Sequence, residues 1–318
     1  MEYDVFNGDA DGICALHQLR LARPRPEAEL ITGVKRDIKL LRQLGDCRAA
    51  EITVLDISLD SNRDFLVPLL AHNRVFYVDH HFAGEIPDSP NLAAYIDPAP
   101  EVCTALIVDQ LLKGRFRAWA VVAAFGDNLH AVAEGVAAEL GLPRDQVEKL
   151  RELGELLNYN GYGATVSDLH FPPQELYRAV QPFAEPLAFF HESPALATLR
   201  EGFGADMDTA RQAAPLVDAA YGRVFRFPAA AWSRRVAGVF SNEKAREAED
   251  KAHALLVDNP DGTLLISVRA PLANRQGADR LCRAFPTGGG RAAAAGVNAL
   301  PAEQLDKFLQ TFAEVFAA

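Results

Sequence analysis

The sequence predicts an α/β protein with an N-terminal parallel sheet and a smaller C-terminal α/β domain. Strand-like and helix-like segments alternate over residues 4–96, a pattern typical of a parallel sheet covered by helices. Polar residues of the kind that bind metals follow three of these predicted strands. A second group of strands and helices lies after residue 225.

Each element of the first group is predicted from its apolar pattern and its end signals. Strands are expected at Asp4–Phe6, Glu29–Val34, Glu51–Leu55, Arg74–Val78 and Leu92–Ile96. Helices are expected at Ile13–Leu21, at Asp37–Leu44 and after Ser61, which we take as an N-cap. Because the carboxyl ends of parallel strands share one edge of the sheet, the residues that follow them are expected to converge there.

The rest of the chain predicts a connector and a second sheet. Residues 103–157 are expected to be mainly helical, and Asn158–Gly163 to break that run. Later strands are expected at Val236–Phe240, Ala254–Asp258 and Thr263–Val268, and helices at Lys244–Lys251, Gly277–Phe285 and Pro301–Phe316. We predict an N-terminal domain at residues 1–175, a helical connector at 176–225 and a C-terminal domain at 226–318.

Composition restricts the class of protein. The 318 residues are 49% hydrophobic and 24% charged, as in a globular protein with a core. The net charge of −11 argues against a protein that grips long nucleic acid. The sequence contains no apolar run of about 18 residues, no secretion signal at its start and no paired cysteines. These features predict a cytoplasmic protein without a membrane span.

Acidic residues and histidines follow the predicted strands. Asn7, Asp9 and Asp11 come after the first strand, Asp56 after the third, and Asp79-His80-His81 after the fourth. Carboxylates brought together at one sheet edge would repel one another. Divalent cations would remove that repulsion, and oxygen ligands with one imidazole suit Mn²⁺ or Mg²⁺.

Simpler explanations exist for single members of this set. An Asp at a strand end is commonly a turn or helix-cap residue. Asn7–Gly12 also matches the opening of an EF-hand loop, but position 18 is Gln18 instead of Glu, and a strand precedes the loop instead of a helix. It is the joint occurrence of the acids and histidines that favours a metal centre.

The ordered set of motifs resembles the DHH/DHHA1 phosphoesterases, including the nano-RNase and RecJ-like phosphodiesterases. Asp9-x-Asp11-Gly, Asp56, Asp79-His80-His81 and Asp127 resemble the successive DHH motifs. Near the C-terminus, Gly288-Gly289-Gly290-Arg291 followed by Ala295-Gly296 resembles the glycine signature of the DHHA1 substrate domain. The resemblance implies a two-metal DHH domain, a DHHA1 substrate-binding domain and an active site in the cleft between them.

The resemblance also implies roles for individual residues. Asp9, Asp11, Asp56, His80 and Asp127 are expected to bind two divalent cations, Mn²⁺ or Mg²⁺, with Asp56 as the bridge. His81 is expected to contact the phosphate or the attacking water, and Asp79 to orient the histidine pair. Two positions depart from the family pattern. Val5 stands where some members have a metal-binding histidine, so Asn7 is a weaker candidate ligand, and Arg291 replaces the usual histidine.

Substrate contacts are expected from the C-terminal domain. Consecutive glycines Gly288, Gly289 and Gly290 could point backbone N–H groups at an anion, although a simple turn is the alternative. Arg291 offers a bidentate fork to a phosphate. Arg269 at the end of a strand resembles the family's phosphate-binding arginine. His130 is a weaker candidate that would reach the site from a helix.

These expectations predict a metal-dependent hydrolase that acts on dinucleotides or very short oligonucleotides and releases mononucleotides. Alternatives within the family are hydrolysis of 3′-phosphoadenosine 5′-phosphate, of cyclic dinucleotides or of polyphosphate. A non-catalytic nucleotide-binding regulator is the alternative of another class. We expect no long nucleic acid and no membrane as partners, and leave a homodimer open.

Overall fold

The computed structural model describes residues 1–317, and the chain divides into two compact units, Met1–Gly202 and Phe203–Ala318. The predicted α/β class, with a parallel sheet in the first unit and a smaller α/β unit after it, is confirmed. Within residues 1–317, no helix has both the length and the apolar character needed to cross a membrane.

The first unit contains five parallel strands in the order β2-β1-β3-β4-β5. The strands are β1 (Glu2–Asn7), β2 (Glu29–Gly33), β3 (Glu51–Leu55), β4 (Arg74–Asp79) and β5 (Leu92–Ile96). Their register aligns the carboxyl ends, because Asn7 lies beside Gly33, Phe6 beside Leu55, and Leu55 beside Val78. Residues that follow these strands therefore meet at one edge.

Nine helices begin in the first unit. They are α1 (Ala10–Ala22), α2 (Leu59–Leu70), α3 (Thr104–Leu111), α4 (Arg117–Gly126), α5 (His130–Glu139), α6 (Arg144–Gly161), α7 (Pro173–Val180), α8 (Pro186–Glu192) and α9 (Pro194–Arg211). Short 3₁₀ turns lie at Leu40–Leu44 and Val166–Asp168. The boundary between the two units falls inside α9.

Both faces of the parallel sheet are covered. Val5, Val54 and Tyr77 belong to a hydrophobic cluster on one face, which includes side chains of α2. On the other face, α1 packs against α3 and α4. Burial on both faces agrees with strands that are nearly continuous apolar runs, and it leaves the strand ends as the place for polar residues.

The second unit contains a six-stranded sheet in the order β10-β11-β9-β8-β7-β6. Its strands are β6 (Val217–Ala219), β7 (Gly222–Phe227), β8 (Ala252–Asp258), β9 (Thr263–Arg269), β10 (Gly288–Gly290) and β11 (Ala294–Pro301). Only β7 and β8 pair in parallel among these described strands. The helices are α10 (Ala231–Glu247), α11 (Ala278–Arg283) and α12 (Leu305–Phe316), with a 3₁₀ turn at Ala302–Gln304.

Three local predictions were wrong. Val236–Phe240 is part of α10 and not a strand, since Val236 and Phe240 are buried four residues apart on one helical face. The run before Asn158 is not broken there, because α6 continues to Gly161. The N-cap of α2 is Ser58, whose hydroxyl accepts a hydrogen bond from the backbone N–H of Ser61 at 3.3 Å.

The region predicted as a helical connector, residues 176–225, contains most of α7, all of α8 and α9, and the first strands of the second unit. Three apolar residues of β7, Val224, Phe225 and Phe227, are buried in the second unit.

Candidate metal centre

Five predicted ligand positions lie at or beyond the carboxyl ends of the strands or at a helix end beside them. Asp9 is the N-cap of α1, just after β1, and Asp11 lies in the first turn of that helix. Asp56 follows β3, and His80 follows β4. Asp127 caps the carboxyl end of α4.

Asp9 and Asp11 both accept backbone N–H groups at the start of a helix. Asp9 Oδ1 accepts hydrogen bonds from the backbone N–H groups of Asp11 at 3.0 Å and Gly12 at 3.1 Å. Asp11 accepts the N–H groups of Thr104 and Ala105, each at 2.7 Å, at the start of α3. Gly12 is required here because a Cβ would lie 2.1 Å from the carbonyl oxygen of Asn7. These bonds fix both carboxylates at the sheet edge.

Asp56 has an unusual backbone conformation. Its φ of 58° lies in the left-handed region, which non-glycine residues seldom adopt. The residue is 2% exposed, and its Oδ1 accepts the Thr104 hydroxyl at 3.2 Å. A residue held in this region beside a cluster of acids is typical of a functional site.

His80 directs its Nε2 atom at the acids. Its Nδ1 lies 2.8 Å from the carbonyl oxygen of Val102, which can only accept, so Nδ1 carries the proton. Its Nε2 lies 3.5 Å from Asp56 Oδ1, 3.7 Å from Asp127 Oδ2 and 4.0 Å from Asp11 Oδ2. This leaves Nε2 and the carboxylate oxygens directed at one another, an arrangement that suits a bound cation.

Asp79 and His81 form a separate pair. His81 Nδ1 lies 2.7 Å from Asp79 Oδ1, and Asp79 is fully buried. The hydrogen bond to Asp79 raises the pKa of His81, against the lowering effect of burial. The His81 side chain remains 42% exposed. Its Nε2 is therefore available for a contact outside the protein.

Asp127 reaches the cluster because two helices pack closely beside it. Gly126, the last residue of α4, faces Ala10 of α1, and a Cβ there would lie 2.4 Å from the Ala10 Cβ. Burial and the negative charge of Asp11 raise the pKa of Asp127 to about 6, although Lys35 opposes this rise.

Lys35 was missed by the sequence analysis. Its Nζ lies 2.5 Å from Asp9 Oδ2, 3.0 Å from Asn158 Oδ1 and 3.4 Å from Asp127 Oδ1. A signal was present, since Lys35 lies two residues beyond β2, whose end aligns with that of β1. The predicted ligands were acids, histidines and Asn7, so a lysine at the same sheet edge was not included.

The acids differ in how their charge is compensated. Burial would raise the pKa of Asp9, but the charge and hydrogen bond of Lys35 hold it below its usual value. Burial and the negative charges of Asp11 and Asp9 raise the pKa of Asp56 well above its usual value. Burial would lower the pKa of Lys35, but Asp9 raises it well above its usual value. Lys35 thus neutralises the charge of Asp9, whereas the repulsion of Asp56 by Asp11 and Asp9 is not compensated by a lysine or arginine of residues 1–317.

The donor set fits a divalent cation. Two sets of ligand atoms lie within 4.8 Å of one another, namely Asp56 with His80 and His81, and Asp11 with His80 and Asp127. Carboxylate oxygens suit Mg²⁺ and Mn²⁺, and imidazole nitrogens suit the divalent transition metals, so the set fits a divalent cation without selecting one. Both sets contain His80, so the structure brings the predicted ligands together around this residue.

The two weaker candidates, Asn7 for metal binding and His130 for substrate binding, belong to neither set of possible metal ligands. The Nδ2 of Asn7 donates to the backbone carbonyl of Lys35 at 3.3 Å, and its Oδ1 is buried without a hydrogen-bond partner among the described residues. His130 begins α5, and its ring packs 5.9 Å from that of Phe125.

The predicted substrate residues lie in the second unit. Gly288–Gly290 form strand β10, not a turn, and the N–H of Gly288 donates to Phe285 at 3.1 Å. Gly288 is required for packing, because a Cβ would lie 1.8 Å from the Cys282 carbonyl oxygen. Arg291 is exposed in the turn between β10 and β11. Arg269 ends β9, and its Nε donates to Asn242 Oδ1 at 2.9 Å.

Comparison with known proteins gives matches in structure. No protein-family profile matches the sequence. No curated protein matches it in sequence either. A DHH domain described as a member of the s1p family of ribosomal proteins has a TM-score of 0.61 and 13% identity, over 98% of this chain and 85% of that one.

Two further structures are enzymes by their descriptions. The exonuclease RecJ bound to manganese has a TM-score of 0.57 and 18% identity, over 99% of this chain and 90% of that one. The pGpG-specific phosphodiesterase PggH from Vibrio cholerae has a TM-score of 0.55 and 15% identity, over 99% of both chains.

These likenesses extend over both units, and the resemblance expected from the motifs is confirmed at the level of the fold. The chain has the fold of the DHH-domain structures.

Proposed function

We propose that this protein is a metal-dependent phosphoesterase that hydrolyses dinucleotides or very short oligonucleotides to mononucleotides. The observation that carries the proposal is the arrangement around His80, whose Nε2 lies 3.5–4.0 Å from three carboxylates. Carboxylate oxygens gathered around one imidazole nitrogen at a sheet edge suit a bound divalent cation.

The residues that would hold divalent cations are Asp11, Asp56, His80 and Asp127, with Asp9 at the side of the cluster. A bound Mn²⁺ or Mg²⁺ ion would supply Lewis acidity at the phosphate and lower the pKa of a water molecule. Support for this chemistry comes from the structural likeness to RecJ bound to manganese. The choice between Mn²⁺ and Mg²⁺ remains part of the proposal.

The protein's own residues would orient the reaction. Asp79 holds His81 through Nδ1, so that the exposed Nε2 can donate a hydrogen bond to a phosphoryl oxygen or a proton to the leaving oxygen. In the hydrolysis, water adds hydroxyl to phosphorus, the bond from phosphorus to the nucleoside oxygen breaks, and that oxygen gains a proton. Thr104 donates its hydroxyl to Asp56 and fixes that carboxylate.

Two observations support a short substrate. The net charge of −11 disfavours binding to a long polyanion. The fold is similar to that of a phosphodiesterase described as specific for pGpG, itself a dinucleotide. Arg269 and Arg291 in the second unit supply local positive charge in an acidic protein, and we propose that they bind substrate phosphate.

The test is hydrolysis of a 5′-phosphorylated dinucleotide, a longer oligonucleotide and 3′-phosphoadenosine 5′-phosphate, each with Mn²⁺, Mg²⁺ or chelator. We expect mononucleotide release that requires metal and is fastest from the dinucleotide. Asp64→Asn, an exposed carboxylate on α2, is the matched control for site variants and should retain full activity. Faster hydrolysis of the longer oligonucleotide would contradict the short-substrate proposal, and no turnover would favour the regulator.

Arg291→Ala separates substrate binding from chemistry. If Arg291 binds a phosphate that does not react, the variant should raise KM more than it lowers kcat. Arg283→Ala, an exposed arginine of α11, is the matched control. An unchanged KM for Arg291→Ala would remove this residue from the substrate site.

A further inference from the structure

Lys35 lies at one side of the acidic cluster, and all three N–H donors of its ammonium group have acceptors there. An ammonium group has three donors, and Lys35 Nζ has three acceptors, on Asp9 at 2.5 Å, Asn158 at 3.0 Å and Asp127 at 3.4 Å. Two of these acceptors are carboxylates that the sequence predicts as metal ligands. A lysine in this position is a built-in cation of the cluster.

The position of Lys35 is fixed by its surroundings. Its backbone N–H donates to the Gly161 carbonyl at 2.9 Å, and its own carbonyl accepts from Asn7 at 3.3 Å. The Nζ lies 5.7 Å from the centre of the Tyr162 ring, within range of a cation–π interaction. The side chain is only 24% exposed. Lys35 is therefore held from both its backbone and its charged end.

Asp9 is correspondingly occupied by the chain itself. Its Oδ1 accepts two backbone N–H groups at the start of α1, and its Oδ2 accepts the Lys35 ammonium. A carboxylate has about four lone-pair positions, and three of those on Asp9 are used by donors of the protein. Within residues 1–317, Asp9 belongs to neither set of side chains that could hold a metal ion.

The neighbouring positions offer no charged ligand in place of Asp9, since the Oδ1 of Asn7, buried and unpartnered among the described residues, is a neutral amide oxygen. Val5 is fully buried in the hydrophobic cluster of the sheet face, and its side chain has no donor atom for a metal. By contrast, Asp11, Asp56, His80 and Asp127 still face one another as acceptors. The cluster thus has one side filled by an ammonium group and one side that requires an external cation.

We propose that the Lys35 ammonium takes the place of one of the two divalent ions, so that this protein works with a single ion bound by Asp11, Asp56, His80 and Asp127. The role of that ion rests on the proposed function, but its number does not. An ammonium group can neutralise Asp9 and donate hydrogen bonds, but it cannot provide a coordinated water.

The experiment is a count of Mn²⁺ bound to the full chain without substrate. Protein stripped with chelator is titrated with Mn²⁺ by calorimetry and examined by electron paramagnetic resonance. The wild type should bind one ion per chain and show the six-line spectrum of isolated Mn²⁺. Lys35→Met should bind two ions and show the broadened spectrum of a coupled pair, because Asp9 and Asp127 oxygens are released.

Two controls accompany the count. Lys35→Arg keeps the positive charge and should still bind one ion. Lys39→Met removes an exposed lysine four residues further on and should leave the count unchanged. A coupled pair in the wild type would overturn the proposal, and so would a single ion in folded Lys35→Met. If Lys35→Met does not fold, the wild-type spectrum alone decides between one ion and two.

The outcome for Lys35 is distinguishable from that for the function. One ion with no hydrolysis of the three test substrates would retain the single-ion centre and overturn the proposed activity. Two ions with hydrolysis would retain the activity and overturn the role of Lys35. Binding of no ion would overturn both.

Discussion

The buried acids toward the amino edge and at the carboxyl edge of the parallel sheet differ in how their charge is compensated. At the amino edge, Asp4 is paired in a bidentate manner with Arg20, whose Nε lies 2.8 Å from Asp4 Oδ2. At the carboxyl edge, no lysine or arginine of residues 1–317 forms an ion pair with Asp11 or Asp56. A buried acid that has no lysine or arginine partner, such as Asp11 or Asp56, indicates a bound ligand.

Removal of the cation at the amino edge should give the largest effect on stability. Arg20→Met leaves Asp4 buried at 1% exposure without its partner, and breaking a buried pair costs about 3–5 kcal/mol. Urea unfolding in chelator measures the loss in the free energy of unfolding. The double variant Arg20→Met/Asp4→Leu should recover most of it, because no unpaired charge remains. A loss below about 1 kcal/mol would contradict the assignment of this pair to the fold.

The opposite result is expected at the carboxyl edge. Asp56→Asn should reduce hydrolysis by more than about 100-fold, since even outer partners of metal ligands are worth about 10–100-fold. Its stability in chelator should equal or exceed that of the wild type, because Asp56 is repelled by Asp11 and Asp9. Near-full turnover would show that the site is assigned wrongly. A large drop in stability would place Asp56 with the acids of the fold.

The Asp79–His81 pair should give an intermediate effect. Asp79→Asn removes the charge that holds His81 and should reduce kcat by about 10–100-fold, as for other residues that orient a functional histidine. The bound-metal count should not change. His81→Gln and the double variant should have equal kcat, since both remove the same oriented imidazole. Additive losses would mean that Asp79 acts independently of His81.

The smallest effect is expected for an exposed pair at the amino edge. Arg25 lies 2.6 Å from Glu51 Oε2, but the Glu51 side chain is 52% exposed. Arg25→Met should change the free energy of unfolding by no more than about 1 kcal/mol, as is usual for surface ion pairs. Thermal unfolding beside Arg20→Met measures the difference. A loss equal to that of Arg20→Met would show that burial does not separate the two pairs.

The carboxyl edge was the more predictable of the two from the sequence. The carboxyl ends of parallel strands lie at one edge of the sheet, and this rule alone predicted that Asp9, Asp56 and His80 lie close together. Lys35 obeys the same rule, but its charge did not match the expected ligand chemistry. Asn158 comes from α6 and Thr104 from α3, and no local pattern indicates which helix residue will face a strand end.

The prediction failed where short apolar runs had two explanations. Val236–Phe240 has the β-branched residues of a strand and the spacing of a helix, and packing in the second unit decided for the helix. Gly288–Gly290 was considered as an anion-binding loop or a turn. It is a strand because it pairs with Ala295, Gly296 and Val297 of β11. A run of glycines carries no side-chain pattern from which this pairing could be predicted.

The helix caps formed by Asp9 and Asp11 bear on how such a protein would evolve. Asp9 caps α1 and Asp11 accepts the first N–H groups of α3, so selection for a folded chain would retain them even after catalysis was lost. Asp56 has a left-handed backbone and no cap to form, and His80 directs its Nε2 at acids. In a set of relatives, the identities at these two positions are therefore the ones that would separate active enzymes from descendants that only fold.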